Sequence, residues 1–214
     1  SITIMGLVSA PGYRDDSKRV KAVNKGLDFV LEGLEHDRMT EGFIGGYDVR
    51  GWGHIYALQC LLHMQDYRLV PAKLKGKVSK KVDWLVETLV KSAIPKAGGW
   101  NYSRRAGYMS PKNSASLFMT APALQALFHA KSRGHSVPDN VVEEALAAID
   151  RARTKAGGFA YSSADRNLND KSEEDLRFMD LAPGSAARAA ISETTMMLAG
   201  RGDETRHRKA LELF

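Results

Sequence analysis

The residues best suited to chemistry stand close together in one short segment of the chain. Within eight positions this segment holds two aromatic rings, an acid, a base and an imidazole: Tyr47, Trp52, Asp48, Arg50 and His54. Imidazole exchanges protons near neutral pH, so His54 is a candidate general acid or base and Asp48 is a second catalytic candidate. The alternative is a structural role, in which His54 caps its helix or bonds a neighbouring carbonyl group.

Two further charged residues stand in a segment otherwise rich in small and apolar side chains. Glu193 is the best carboxylate for donating a proton, and Arg188 is a candidate ligand-binding residue. Charged side chains are rarely buried unless they are paired, so both positions are informative. The alternative is an exposed helix in which both charges are solvated.

Aromatic and basic side chains also follow a diglycine that occurs twice. Gly-Gly-Trp-Asn-Tyr-Ser at 98–103 returns as Gly-Gly-Phe-Ala-Tyr-Ser at 157–162, a shift of 59 (157 − 98). Tyrosine offers an apolar face with a hydroxyl group, and arginine binds carboxylate or phosphate. The alternatives are packing between helices for the tryptophan and turn capping for the others. The candidate ligand-binding residues here are Trp100, Tyr102, Arg104 and Tyr161.

Apolar residues recur at helical spacing through most of the chain, and no alternating pattern predicts strands. Segments 17–34 and 78–90 are apolar on one face only, whereas segments 53–65, 114–132 and 185–199 are apolar on nearly every side. The second kind is typical of a helix packed between two layers. The alternation predicts an all-α protein of αα-hairpin repeats, with two concentric helix layers.

Internal similarity supports the repeat. Ala-Leu-Gln-Cys-Leu-Leu-His at 57–63 resembles Ala-Leu-Gln-Ala-Leu-Phe-His at 123–129, a shift of 66 (123 − 57), and residues 1–7 resemble residues 192–198. Both ends of the chain therefore match the interior of a repeat. We expect residues 1–214 to form a single, partial repeat domain that is truncated at both ends.

Composition narrows the classes of partner. The 214 residues carry a formal charge of +6, but lysine and arginine are spread over the whole chain, which favours a solvated outer surface over a nucleic-acid interface. No stretch approaches the roughly 20 apolar residues of a membrane span. A single cysteine excludes an internal disulfide.

The alternating helices, the Gly-Gly-aromatic turns and the Ala-Leu-Gln segments resemble the prenyltransferase and squalene-oxidase repeat family, which includes squalene–hopene cyclases and protein prenyltransferase β-subunits. Trp52-Gly53-His54 before one inner helix and Gly-Gly-Trp-Asn-Tyr-Ser before the next are most similar to bacterial cyclase-like proteins of this kind. The resemblance implies an (α/α) toroid whose inner helices enclose a cavity. In the family's enzymes that cavity binds an isoprenoid.

Several motifs of those enzymes are missing here. The Asp-Xaa-Asp-Asp acid of hopene cyclases is absent, and Ile94 and Arg153 stand where the family's Gln-Xaa-Xaa-Xaa-Gly-Xaa-Trp signature has its glutamine. Cys60 aligns with Ala126 in the repeat, so we interpret it as a small core residue rather than a zinc ligand. We expect neither a metal nor another cofactor.

Three functions stay open. The first is a cyclase-like module without the usual catalytic motifs, which binds an elongated ligand such as an isoprenoid, or a partner, along its inner helices. The second is an active terpenoid cyclase or prenyltransferase with a non-standard acid. The third is a carbohydrate-active (α/α) hydrolase or lyase, which requires paired charged groups across a cleft.

Overall fold

A computed structural model describes residues 1–40, 48–102, 115–154, 158–161 and 183–213 of the chain. In these ranges the chain forms α-helices and no β-strand, so the prediction of an all-α protein is confirmed. The helices are α1 (Ile2–Ser9), α2 (Ser17–Gly33), α3 (Asp37–Thr40), α4 (Arg50–Asp66), α5 (Lys75–Ser92), α6 (Leu117–Ser132), α7 (Asp139–Arg151), α8 (Pro183–Leu198) and α9 (Glu204–Glu212).

The contacts between helices follow a regular order. Helix α1 packs on α4, α4 on α6 and α6 on α8, which makes an inner row of four helices. Each of the four also packs against the outer helix that follows it in the chain, namely α2, α5, α7 and α9. The described part of the chain is therefore a stack of αα-hairpins in two layers.

Burial explains which helices occupy which layer. The outer helix α5 buries a single stripe at helical spacing, which includes Val78, Val82 and Leu85. The inner helices α4 and α6 bury residues around most of their circumference, because neighbours cover them on both sides and from outside. None of the described helices is long and apolar enough to cross a membrane.

The repeated Ala-Leu-Gln segment has a structural role. The side-chain amide of Gln59 on α4 donates to the carbonyl oxygen of Pro122 on α6, at 3.3 Å. Gln125 on α6 donates in the same way to the hydroxyl of Thr195 on α8, at 3.0 Å. Each glutamine therefore links one inner helix to the next, where a purely apolar contact would leave the spacing less well defined.

The first Gly-Gly-aromatic turn is packed into the core. Gly98 and Gly99 have φ angles of 73° and 72°, which favour glycine, and a Cβ atom at Gly98 would overlap the backbone of Glu144 on α7. The turn directs Trp100 inwards, where it is fully buried. Its indole nitrogen donates to the carbonyl oxygen of Leu89, at 2.9 Å, and lies 3.2 Å from the Ser92 hydroxyl. Trp100 thus joins two hairpins as part of the core.

Candidate functional site

An open, aromatic-lined groove lies at the amino-terminal ends of the inner helices. It has a volume of about 520 Å³ and is lined by one aliphatic and four aromatic side chains: Val49, Trp52, Tyr102, Phe118 and Tyr161. Val49 and Tyr161 are exposed, whereas the other three are half-buried. We call this surface the aromatic groove. It is an apolar recess of a size that suits a small organic ligand.

The aromatic rings form a continuous row across the hairpins. Trp52 stacks on Tyr56, with 5.9 Å between ring centroids, and its other neighbour Tyr102 lies at the same distance. The hydroxyl groups of Tyr102 and Tyr161 are hydrogen-bonded to each other. The ring centroids of Tyr161 and Phe118 are 6.0 Å apart. The two tyrosines are the equivalent residues of the two Gly-aromatic turns, so the repeat itself brings them together.

Backbone hydrogen bonds hold these turns against the helix starts. The carbonyl oxygen of Tyr102 accepts from the backbone N–H of Asp48, at 3.1 Å, just before α4. The carbonyl oxygen of Tyr161 accepts from the N–H of Leu117, at 3.3 Å, in the first turn of α6. Since the first turn of a helix has N–H groups without helical partners, the Tyr161 turn caps α6, whereas the Tyr102 turn holds the segment that precedes α4. Each turn places its tyrosine in the groove.

Arg188 ends the aromatic row on α8. Its guanidinium carbon lies 5.5 Å from the ring centroid of Phe118 and 5.9 Å from that of Tyr161, within range of a cation–π interaction. Its Nε atom donates to the carbonyl oxygen of Phe159, at 3.2 Å. Arg188 is buried and does not line the groove itself, so it supports the rings of Phe118 and Tyr161 from α8.

Asp48 and Arg50 form a buried pair beside the groove. Two nitrogen atoms of Arg50 donate to the two carboxylate oxygens of Asp48, at 2.9 and 2.7 Å. The side chain of Asp48 is only 1% exposed and that of Arg50 is 12% exposed. Paired hydrogen bonds of this geometry stabilise the ionised carboxylate and hold the segment that precedes α4. This arrangement suits a structural role better than proton transfer by Asp48.

His54 lies inside the protein, one turn into α4. It is 2% exposed and packs edge-on against Trp84 of the outer helix α5, with 5.1 Å between ring centroids. Burial lowers the pKa of His54 to about 4, while a hydrogen bond with the backbone of Met39 acts in the opposite direction. The imidazole is therefore neutral at physiological pH and bonded to a neighbouring backbone group, as the structural alternative expected.

This burial predicts a loss of stability in mild acid. Because the folded pKa of His54 lies below the unfolded value of 6.5, its contribution is complete above pH 6.5 and is lost as the pH falls towards 4. We expect a loss of about 2 kcal/mol in unfolding free energy between pH 7.5 and pH 5 from this residue alone. Urea denaturation of the wild type and His54→Gln at both pH values measures the difference. Equal pH dependence in the two proteins would contradict the assignment.

Glu193 faces away from the groove. Its side chain is 1% exposed. The guanidinium of Arg153 donates to both carboxylate oxygens, the second of them at 3.4 Å. The Nε atom of Arg206, on α9, lies 3.7 Å from the carboxylate. Five residues along a helix rotate a side chain by about 140°, which accounts for the opposite directions of Glu193 and Arg188. Glu193 therefore forms part of a buried ion pair with Arg153, to which Arg206 adds a second, longer contact.

The structure therefore divides the candidate residues into three groups. Trp52, Tyr102 and Tyr161 line the aromatic groove, and Arg188 contacts the ring of Tyr161 from α8. Five others lie beside the groove or in the core, where they pack or pair with other protein groups: Asp48, Arg50, His54, Trp100 and Glu193. Tyr47 and Arg104 lie outside the described residues.

Sequence reasoning missed two members of the aromatic row and one ion-pair partner. Tyr56 stands one helical turn after Trp52, so the i, i+4 rule could have identified it. Phe118 stands in the first turn of α6, equivalent in position to Trp52 in α4. Arg153 carries no such signal, because its partner Glu193 is 40 residues away.

Within the described ranges, no group of three or more histidine, cysteine, aspartate or glutamate side chains is arranged to hold a metal ion. Cys60 is fully buried, and burial raises the pKa of its thiol to about 11, so the reactive thiolate is disfavoured.

Comparison of the chain with family models, curated proteins and solved structures finds no match.

Proposed function

We propose that this chain is a binding module of the (α/α)-toroid kind, which holds an elongated, largely apolar ligand in the aromatic groove. An isoprenoid chain is the ligand class that we favour. In this proposal the inner row of α1, α4, α6 and α8 is a segment of a curved layer whose concave side carries the ligand. The proposal unites the two-layer stack with the family resemblance of the sequence.

The single observation that carries the proposal is the row of four aromatic rings that lines the groove. Trp52, Tyr102, Phe118 and Tyr161 present apolar faces to a shared recess of about 520 Å³. A row that crosses from α4 to α6 matches an extended ligand better than a compact one. Stacked aromatic and aliphatic contacts of this kind supply binding free energy without requiring a specific pattern of hydrogen-bond donors.

The charges near the groove favour binding over catalysis. Among the described residues no carboxylate lines the groove, and Asp48 and Glu193 are each bonded to arginine. A cyclase needs a protonated acid with access to the substrate, and a glycosidase needs two carboxyl groups across a cleft. Neither arrangement is present among the described residues that line the groove.

Calorimetric titration with farnesol tests the proposal. We expect saturable binding, and we expect Trp52→Ala to weaken it at least ten-fold because a large ring that lines the groove is lost. Phe29→Ala is the matched control, since Phe29 is 75% exposed on the outer helix α2, away from the groove. It should leave the affinity unchanged.

Three outcomes would contradict the proposal. The first is a failure of farnesol to saturate the wild type, and the second is a Trp52→Ala variant that binds farnesol as tightly as the wild type does. The third is tighter binding of cellohexaose than of farnesol, which would favour a carbohydrate ligand, since sugar rings also stack on aromatic faces.

A further inference from the structure

A second cavity lies at the opposite end of the inner helices. It has a volume of about 630 Å³ and opens between the segment after α4, the start of α5 and the turn after α6. Since α4 spans 17 residues, about 25 Å of helix separates this cavity from the aromatic groove. Its polar lining is mainly basic: Arg68, Lys75, Arg133 and His135, with Gln65 and Ser79. We call it the basic cavity.

The balance of charge in the basic cavity favours an anion. No carboxylate is among its lining residues, although Asp66 lies 3.3 Å from Arg133 and Asp83 lies 2.9 Å from His135 just outside. Arg68 and Lys75 make no ion pair within the described part of the chain. Two full positive charges therefore face the cavity without a protein counter-ion in that part, and Arg133 adds a third that Asp66 partly neutralises.

The repeat shows that Arg68 occupies an unusual position. The inner helices α4, α6 and α8 each end in the same hydrogen-bonded cap, in which one residue adopts a positive φ. In α6 and α8 that residue is glycine, Gly134 and Gly200, with φ of 87° and 70°. In α4 the equivalent residue is Arg68, with φ of 55°, at a shift of 66 from Gly134 (134 − 68).

A residue other than glycine is disfavoured at this cap, because at positive φ its Cβ atom comes too close to the following carbonyl oxygen. Arg68 stands where the two equivalent caps have glycine, and its side chain lines the basic cavity. Backbone strain of this kind is typical of positions that hold a functional side chain in place. The cavity and the strained arginine are independent observations, and both identify the same site.

We propose that the basic cavity binds the phosphate monoester of a small polar molecule. A phosphate dianion matches the fork of Arg68 and the point charge of Lys75, with Arg133 as a third donor. The cavity exceeds the volume of phosphate itself and falls in the range of small-molecule sites. Gln65 and Ser79 supply hydrogen bonds suited to the hydroxyl groups of the esterified molecule.

Calorimetric titration with glucose 6-phosphate, glucose, glucuronate and inorganic phosphate tests this site. We expect glucose 6-phosphate to bind most tightly, and its affinity to fall as salt increases. Arg68→Gly should weaken this binding at least ten-fold, because a charge-assisted hydrogen bond is lost. The melting temperature of Arg68→Gly should stay equal or rise, since glycine suits the cap, so a loss of binding is separable from a loss of folding.

Lys80→Gln is the matched control for Lys75→Gln, because Lys80 is exposed on the same helix and does not line the cavity. Only Lys75→Gln should weaken binding. Unchanged affinity in Arg68→Gly would overturn the proposal, as would equal binding of glucose or glucuronate. Inorganic phosphate that binds as tightly as the ester would also overturn it, because the rest of the ester would then make no contribution.

Discussion

The Gly98→Ala variant is expected to lose about 2–5 kcal/mol of unfolding free energy, the sum of a backbone and a packing cost. The backbone cost arises because Gly98 has a φ of 73°. The packing cost arises because an added Cβ atom would overlap the carbonyl group of Glu144, so the turn must move away from α7. Chemical denaturation, followed by circular dichroism, measures the change.

Gly134→Ala is the matched control for this effect. Gly134 has a φ of 87°, but nothing lies within 4 Å of a Cβ atom placed on it. This variant should therefore show only the backbone cost, about 1–2 kcal/mol. If the two variants are equally stable, the close approach between the turn and α7 does not exist. The first Gly-aromatic turn would then not be a fixed element of the hairpin stack.

The second large effect is expected for Glu193→Ala, at about 3 kcal/mol of lost unfolding free energy. The variant leaves Arg153 without its closest carboxylate partner in a region where Glu193 itself is 1% exposed. The 18% exposure of Arg153 allows some solvation and keeps the effect at the lower end of the range for buried pairs. Urea denaturation at neutral pH measures it.

Glu143→Ala provides the comparison for an exposed pair. Glu143 bonds Arg201 at 2.6 Å, but both side chains are about half exposed, at 54% and 44%. Water and salt screen such a pair, so this variant should change stability little. A Glu193→Ala protein as stable as Glu143→Ala would contradict the buried ion pair. It would also reopen proton donation as a role for Glu193.

The helices could be predicted well because their burial follows from local periodicity. The stripe of α5 repeats every three or four residues, and Val78 to Leu89 mark it without reference to the rest of the chain. The helix nevertheless begins at Lys75, since a polar first turn adds nothing to an apolar pattern. Helix α4 begins at Arg50 rather than near Gly53, since the glycine lies within the helix without breaking it, where an added Cβ atom would crowd the side chain of Met39.

The candidate site could be predicted only in part, and the division has a physical cause. Tyr102 and Tyr161 come together because they stand at the same point of two Gly-aromatic turns, and Trp52 stands at the start of the neighbouring inner helix, so their proximity follows from the repeat. The environments of Glu193 and Trp100 depend on partners elsewhere in the chain, such as Arg153 and Leu89. A sequence pattern identifies an unusual charge or ring but does not contain the partner that buries or pairs it.

The most direct test of the aromatic groove uses the three tryptophans of the chain, which lie in three different environments. Trp52 lines the groove, Trp84 packs on His54 from the outer helix α5, and Trp100 is in the core. Their indole N–H signals, assigned by single substitution, can be followed by ¹H–¹⁵N NMR as farnesol is added. The proposal predicts a saturable shift of the Trp52 signal, with those of Trp84 and Trp100 nearly unchanged. An unmoved Trp52 signal, or equal shifts of all three, would contradict a ligand site in the groove.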